Sequence, residues 1–374
     1  MISGMQIQRD VLACSLDELK LLMVELDQKP YRAKQLFEAL HQQWVIDLEQ
    51  ITCFSKELRE KLSPLVDIPK LTIVKVKESS DGTRKYQIQT HDGKLIESVF
   101  IPNAATDGRN TLCISSQVGC AMGCKFCATA ALKLSRNLTA SEIIGQVYAV
   151  NRDLRNIGWK NTLAPESEPS EKARMIHNLV YMGMGEPLHN YDHVLRSIQL
   201  LCAQEGQNYS GRRITVSTSG IVKNIQKLGA ETNVHIAISF NATTNELRDD
   251  IMPVNLKWPL EDLVEACRAF PLQTRRRITF EYVMLADLND TDEDAYRLIN
   301  WLSGIKCKVN LIPFNPHPLS PYRRPSLDRI KAFQHILLQN HMTVFIRGTR
   351  GDDIDAACGM LGAQKLEIAR NVQN

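Results

Sequence analysis

The sequence predicts an α/β protein, a partial (β/α)6 barrel with a small N-terminal helical domain and a short antiparallel β extension. Three observations predict it. From about residue 111, short apolar segments alternate with longer amphipathic ones, the rhythm of parallel strands joined by helical crossovers. Before that, residues 70–101 alternate apolar and polar positions between Asp-Gly turns. Earlier still, residues 1–66 carry apolar residues at helical spacing.

The elements follow in order. Ser15-Leu16-Asp17-Glu18 is a capping box opening a stripe of Leu16, Leu19, Met23 and Leu26. Pro30 breaks it, a second stripe runs Leu36, Leu40, Trp44, and Pro64 closes the segment. Lys29, Arg32, Lys34, Lys56, Arg59 and Lys61 give this part a basic face, either a solvated helical surface or an RNA-contacting one. The β extension, over 67–105, holds strands at 71–76, 85–88 and 95–101 with turns at Asp81-Gly82 and His91-Asp92-Gly93. The barrel occupies 106–350, with strands at 111–115, 178–182, 213–217, 234–239, 278–284, 308–313 and 343–347. Helices fall between them at 139–154, 191–204, 220–229, 259–270, 291–303 and 326–340. Residues 158–174, rich in Pro, Ser, Glu and Lys, read as a mobile surface loop, and 351–374 as a separate C-terminal segment.

Composition sets limits. At 374 residues the chain allows two or three domains, and 44% hydrophobic residues suit a globular protein with a sizeable core. A net charge of +3 does not by itself imply nucleic acid. There is no signal-like start and no apolar run of about 18 residues, so a cytoplasmic protein without a membrane partner is expected. The ten cysteines are scattered, unlike a small secreted scaffold; in a reducing compartment they are metal ligands, catalysts or core fillers.

Three of them stand apart. Cys120, Cys124 and Cys127 have the spacing C-x3-C-x2-C in a glycine-containing loop after the first barrel strand. Three thiolates can hold three irons of a 4Fe–4S cube and leave the fourth iron open to a ligand that is not protein. A closed electron-transfer cluster takes four cysteines, and structural zinc takes four protein ligands. The open iron suits the amino and carboxylate groups of S-adenosylmethionine (SAM). One strand later, Gly183-Met184-Gly185-Glu186-Pro187 combines glycines that let backbone approach a ligand with a carboxylate that can take an ammonium. Ser217, Ser239, Asn241 and Asn315 sit at or beyond successive strand ends, where caps, turns or ligand contacts are all possible. Barrels of this class carry their chemistry at that end. Gly351 to Gly359 reads as a rim loop with Cys358 either an accessible thiol or a small buried one. Cys113, on the strand feeding the cysteine loop, would open to the same end, and two such thiols permit transient disulfide chemistry.

Together Cys113 to Cys127, Gly183 to Leu188, Arg213 to Gly220, Glu281 to Met284, Asn310 to Asn315 and Arg350 to Gly359 resemble the RlmN/Cfr family of radical SAM RNA methyltransferases, along nearly the whole chain and most like its RlmN branch. The last segment is the specific one, because the superfamily at large lacks it. The resemblance implies a radical SAM barrel with a 4Fe–4S cluster on Cys120, Cys124 and Cys127. It implies SAM contacts at Gly185, Glu186, Ser217, Ser239, Phe240, Asn241 and Asn315, although the family usually has Ser-Leu-His where this chain has Ser239-Phe240-Asn241. It makes Cys358 the methyl carrier, Cys113 the resolving thiol and Glu97 the acid/base carboxylate; nothing in the residues alone singles out Glu97. The implied reaction is methylation of adenosine C2 in 23S ribosomal RNA and at transfer RNA position 37, with two SAM per turnover, an external electron donor and a monomeric enzyme. Methylation at adenine C8, as in Cfr, and a protein-modifying radical SAM activase are the alternatives. Arg212, Arg213, Arg275 to Arg277, Arg323, Arg324, Arg347 and Arg350 are the candidate phosphate contacts.

Overall fold

The computed structural model describes residues 8–102, 108–160 and 174–362. Most of the expected surface loop at 158–174, and 363–374 of the expected C-terminal segment, lie outside the described residues.

Strand β1 (Arg9–Asp10) pairs in parallel with β2 (Val66–Asp67), tying together the ends of the helical region. Within it, helix Leu16–Glu25 starts on the expected capping box, with Ser15 and Glu18 bonding reciprocally. Helix Tyr31–His41 ends before Trp44, which follows the stripe in sequence but has φ +61° beyond the helix. A third helix spans Lys56–Leu62. The basic face is largely balanced: Lys34, Lys56 and Lys61 pair with Glu38, Glu60 and Glu57 one turn away. Arg32 and Arg59 donate to the carbonyls of Cys53 and Phe54.

Among the described residues the main sheet has ten strands. β3 (Thr72–Glu78), β4 (Arg84–Gln89) and β5 (Leu95–Ile101) form the antiparallel extension, which joins β6 (Thr111–Cys113) antiparallel. The short pair β7 (Gln117–Val118) and β8 (Arg136–Asn137) brackets the cysteine loop. The barrel continues with β9 (Asn178–Tyr181), β10 (Ile214–Thr218), β11 (His235–Ser239), β12 (Ile278–Met284), β13 (Cys307–Pro313) and β14 (Val344–Ile346). The order is β14-β13-β12-β11-β10-β9-β6-β5-β4-β3, and every pair from β6 to β14 is parallel. The expected strands are therefore all present, in an open arc rather than a closed barrel. The crossover helices Ala140–Asn156, Asp292–Leu302 and Leu327–Gln339 begin on hydroxyl caps at Thr139, Thr291 and Ser326.

One apolar core runs from the N-terminal helices into the barrel, joining Leu19, Leu36 and Phe37 to Tyr148, Ile198 and the strand interiors. Buried His41 is held to Tyr148 Oη by a 2.7 Å bond, and burial pushes its pKa down to about 3, so it stays neutral near pH 7. Arg196 Nε donates to Ala13 O at 2.8 Å across the same seam.

The exit of β6 toward the cysteine loop is set by Gln146, fully buried on the first crossover helix. Its Oε1 accepts from Ser115 N and Ser98 Oγ, both at 2.8 Å, and its Nε2 donates to Ser115 O at 2.9 Å. Leucine at this position would leave both backbone groups of Ser115 without this partner. Gln146→Leu is expected to destabilise the fold by about 2–4 kcal/mol, measured by urea unfolding; a loss below about 0.5 kcal/mol would contradict the role given to Gln146.

Candidate active site

A cavity opens at the C-terminal ends of the barrel strands, with about 960 Å³ not filled by atoms, part of it open to solvent. Cys120, Cys124 and Cys127 line it, with Gly185 and Glu186 after β9, Ser217 near the end of β10 and Ser219 after it, Ser239 ending β11 and Asn241 after it, Glu281 on β12, Asn315 after β13, and Cys358. These residues come from loops far apart in sequence. Parallel strands bring them to one end because each crossover returns the chain to the same start.

The three half-buried cysteines share one wall. Burial raises each thiol, Cys120 to about 12, and Cys124 feels the charge of both Cys127 and Cys120. The loop around them is pinned by backbone: Lys125 N bonds Ile251 O at 3.0 Å, and Ala128 N bonds Gly359 O at 2.7 Å. Gly185 has φ +97°, and a Cβ there would lie 2.5 Å from Gln117 Cβ, so only glycine lets this turn pass behind the loop. Gln117 completes the contact by accepting from Glu186 N at 2.9 Å.

Glu186 is buried with one oxygen bonded to Leu188 N (3.0 Å) and the other to Ser219 N (2.7 Å). Burial raises its pKa and these donors oppose the rise. Its carboxylate thus faces the cavity in a fixed orientation with lone pairs left for a ligand. Asn241, with φ +59°, is also held: its Oδ1 accepts from Val283 N at 2.8 Å, and its Nδ2 donates to the thioether sulfur Sδ of Met252 at 3.2 Å. Phe240 turns away into the core against Phe280, so at this position only its backbone is near the strand end. Asn315 donates to Cys358 O at 3.2 Å and accepts from Arg324 at 2.7 Å.

Cys358 is solvent-exposed, but the solvent it meets is that of a cavity walled by protein. Desolvation, reinforced by Glu281 and opposed by Arg347, pushes its thiol up to about 11. Cys113 is buried at the end of β6; burial raises its pKa, and the nearby Cys358 adds to the rise. Cys358 lines the cavity and Cys113 does not, but the charge of Cys358 is felt at Cys113. Glu97 lies beneath the loop that carries Cys358: it is buried on β5, 3.3 Å from Lys85 Nζ, and accepts from Gly362 N at 2.8 Å.

Two residues were not predicted as site residues. Glu281 lines the cavity near both thiols, and burial raises its pKa against the opposing pull of Arg347. Its place inside an alternating strand was the available signal, since a carboxylate on a central barrel strand needs a reason. Arg248 is fully buried and ties three strand-end carbonyls together, donating to Ser219 O (2.7 Å), Ser239 O (3.0 Å) and Phe240 O (3.0 Å). Nothing in Asn245-Glu246-Leu247-Arg248-Asp249-Asp250 distinguishes it from a solvated helical arginine.

The candidate phosphate contacts divide by position. Arg212, Arg213 and Arg275 to Arg277 precede β10 and β12, at the opposite end of the sheet from the cavity. Arg323, Arg324, Arg347 and Arg350 follow β13 and β14, on the cavity side. The nine candidates thus fall at two ends of the sheet, because parallel strands separate the residues before them from those after them.

Comparison with known proteins agrees with this geometry. Residues 114–299 match the Radical SAM superfamily, and residues 9–68 match the ribosomal RNA large subunit methyltransferase N-terminal domain. The chain is 47% identical to the Dual-specificity RNA methyltransferase RlmN of Geobacter sulfurreducens, over 94% of this chain and 91% of that protein. It is 48% identical to the protein of the same name from Pelobacter propionicus, over 91% of each. The crystal structure of a radical SAM methyltransferase from Sphaerobacter thermophilus superimposes with a TM-score of 0.86 at 40% identity, covering 95% of this chain and 99% of that one. With a cysteine-lined cavity at the strand ends of a partial barrel, and with these relatives along almost its full length, the chain belongs to the RlmN family of radical SAM RNA methyltransferases.

Proposed function

We propose that this radical SAM RNA methyltransferase adds a methyl group to C2 of adenosine in 23S ribosomal RNA and at transfer RNA position 37, using two SAM per turnover and an S-methylated Cys358. The observation that carries this reading is that Cys358 lines the cavity that also holds the three-cysteine loop, while Cys113, buried at the end of β6, lies near enough to feel its charge. A protein-modifying activase has no use for that second pair of thiols.

The donor set fits a 4Fe–4S cluster. Among the described residues, the only three candidate ligand atoms all within 4.8 Å of one another belong to His91, Asp92 and Glu142, so at least one pair of the three sulfurs stands further apart than that. A single tetrahedral zinc would draw its sulfurs to about 3.8 Å apart. Thiols that raise one another in a half-buried wall also call for a cationic core. Cys120, Cys124 and Cys127 would hold the cluster, which when bound supplies the electron that opens the SAM sulfonium to a carbon radical.

The chain's own residues do the rest. Glu186 and Gly185 receive the SAM amino group, and Ser217, Ser239, Asn241 and Asn315, with the Phe240 backbone, line the space left for its ribose, adenine and carboxylate. Cys358 takes a methyl group from one SAM by displacement, its proton leaving as the thioether forms. With its pKa near 11, roughly one part in ten thousand of this thiol is ionised at pH 7, so a SAM cation beside it must lower that value for the displacement to run. Cys358 then offers a methyl hydrogen to the radical and carries the resulting CH2 to C2, an unactivated carbon that ordinary displacement cannot methylate. The ring radical formed on addition gives up one electron, which the oxidised cluster would take back, and its C2 proton. Cys113 then attacks the Cys358 sulfur, the carbon on C2 leaves that sulfur and takes up a proton as the new methyl group, and the Cys113–Cys358 disulfide left behind is reduced by an external electron donor. Glu97 moves the proton as the ring regains aromaticity. The target adenosine must be unstacked to enter the cavity. Arg323, Arg324, Arg347 and Arg350 are on the side where its phosphates would lie. A monomer acting in the cytoplasm meets these requirements; no helix among the described residues is long and apolar enough to cross a membrane.

Anaerobic turnover with ribosomal RNA fragments and transfer RNA, followed by nucleoside mass spectrometry, is expected to yield 2-methyladenosine; a product methylated only at C8 would move the assignment to the Cfr-like reaction. Cys358→Ala is expected to abolish RNA methylation while the cluster absorbance and reductive SAM cleavage persist, and unchanged methylation would remove its assigned role. In protein without cluster or SAM, the raised pKa shifts Cys358 reactivity upward in pH: its alkylation rate should keep rising through pH 9 and level off near 11. An ordinary thiol would level near about 8.5, and a plateau there would contradict the desolvation described.

A further inference from the structure

The reaction described leaves one buried cation without a role. Lys85 on β4 is only 3% exposed and Glu97 on β5 only 2%. The register sets Gln87 opposite Glu97, so Lys85 lies two residues along on the same face, where its Nζ reaches Glu97 Oε2 at 3.3 Å. The same Nζ donates to Asp355 O at 2.9 Å, and the same Oε2 accepts from Gly362 N at 2.8 Å. Asp355 stands before Cys358 in the chain and Gly362 after it. One buried ion pair therefore grips both ends of the loop that presents Cys358 to the cavity.

We propose that Lys85 is a positioning residue that sets the Cys358 loop and holds Glu97 in reserve beneath it, so that opening of the loop releases the Glu97 carboxylate. The proposal rests on the reading of Cys358 as methyl carrier and Glu97 as proton carrier.

Other fastenings of this segment are shallower. Ser79 Oγ donates to Asp353 at 2.6 Å and Gly351 N to Asp81 at 3.2 Å, but Asp353 is exposed and Asp81 half-buried, so water competes for both bonds. The Lys85 bonds are shielded, and a shielded donor removed from a main-chain carbonyl is not replaced by solvent. On the far side the loop is held by the cysteine loop itself, through Ala128 N to Gly359 O (2.7 Å) and Thr129 Oγ1 to Leu361 O (2.8 Å). The β extension and the cysteine loop thus grip the same short segment from two sides. Each time the segment lifts, Glu97 loses the Gly362 donor and keeps Lys85, which leaves an oxygen lone pair available for a proton.

Amide hydrogen exchange on the full-length, anaerobically reconstituted protein tests this, with RNA methylation kinetics measured in parallel. In Lys85→Met, amides over 355–362 are expected to exchange at least about tenfold faster while those of Tyr31–His41 are unchanged. The kcat for RNA should fall by about tenfold or more with KM within about twofold. Because Lys85→Met strands a buried carboxylate and can fail to fold, Lys85→Met/Glu97→Gln is the second variant. It carries no stranded charge, keeps an acceptor for Gly362 N and still lacks the donor to Asp355 O. Faster exchange around 355–358 with Gly362 still protected supports the proposal. Wild-type exchange over 355–358 in the double variant overturns it, as does an equal acceleration throughout the chain, which would make Lys85 part of general stability. If the loop responds as stated but the wild-type protein never methylates RNA, the positioning role stands and the assigned reaction falls.

Discussion

The site depends on holding a segment that has almost no regular structure of its own. Residues 351–362 contain one short 3-10 turn and no strand, so few of their backbone groups are satisfied from within. They are satisfied instead from outside: by Lys85, Glu97 and Asp81 on the β extension, by Ala128 and Thr129 after the cysteine loop, and by Asn315 after β13. A loop held this way has a defined resting position and a low cost of local opening. Both properties suit the part proposed for Cys358, which is to meet SAM, then a substrate base, then a second thiol.

The same logic explains why the β extension exists. Its three strands prolong the barrel sheet past β6, away from the arc that forms the cavity. Seen only as sheet, they add area. Seen with their contacts, they supply a floor for the C-terminal segment and the buried carboxylate beneath it. Arg248 does for the strand ends what Lys85 does for the loop: a buried cation gathers main-chain carbonyls of residues far apart in sequence. Burial drives its pKa down to about 10, and it remains charged near pH 7.

Much of this architecture was legible in the residues. The strands and crossover helices follow from period-2 and period-3.6 patterns punctuated by hydroxyl caps, and those signals are local. The cysteine spacing and the glycines at 183 and 185 were legible because chemistry and sterics allow few substitutes. What was not legible is the set of long-range polar contacts. Gln146, Lys85 and Arg248 look in sequence like ordinary helix or strand surface residues, and only the fold turns them inward. The basic positions were legible as residue types but not as places. Counting arginines could not separate the two ends of a parallel sheet, and counting lysines on the first helices could not see the glutamates one turn away.

We propose that residues near opposite ends of the barrel domain, Cys113 at its start and Cys358 after its last strand, form a working pair beside the cysteine-lined cavity. Mild diamide oxidation of the anaerobically reconstituted protein, followed by peptide mapping, tests it most directly. The account predicts a Cys113–Cys358 disulfide as the dominant linked peptide. Linkage of Cys358 only to Cys120, Cys124 or Cys127, with Cys113 remaining free, would contradict it.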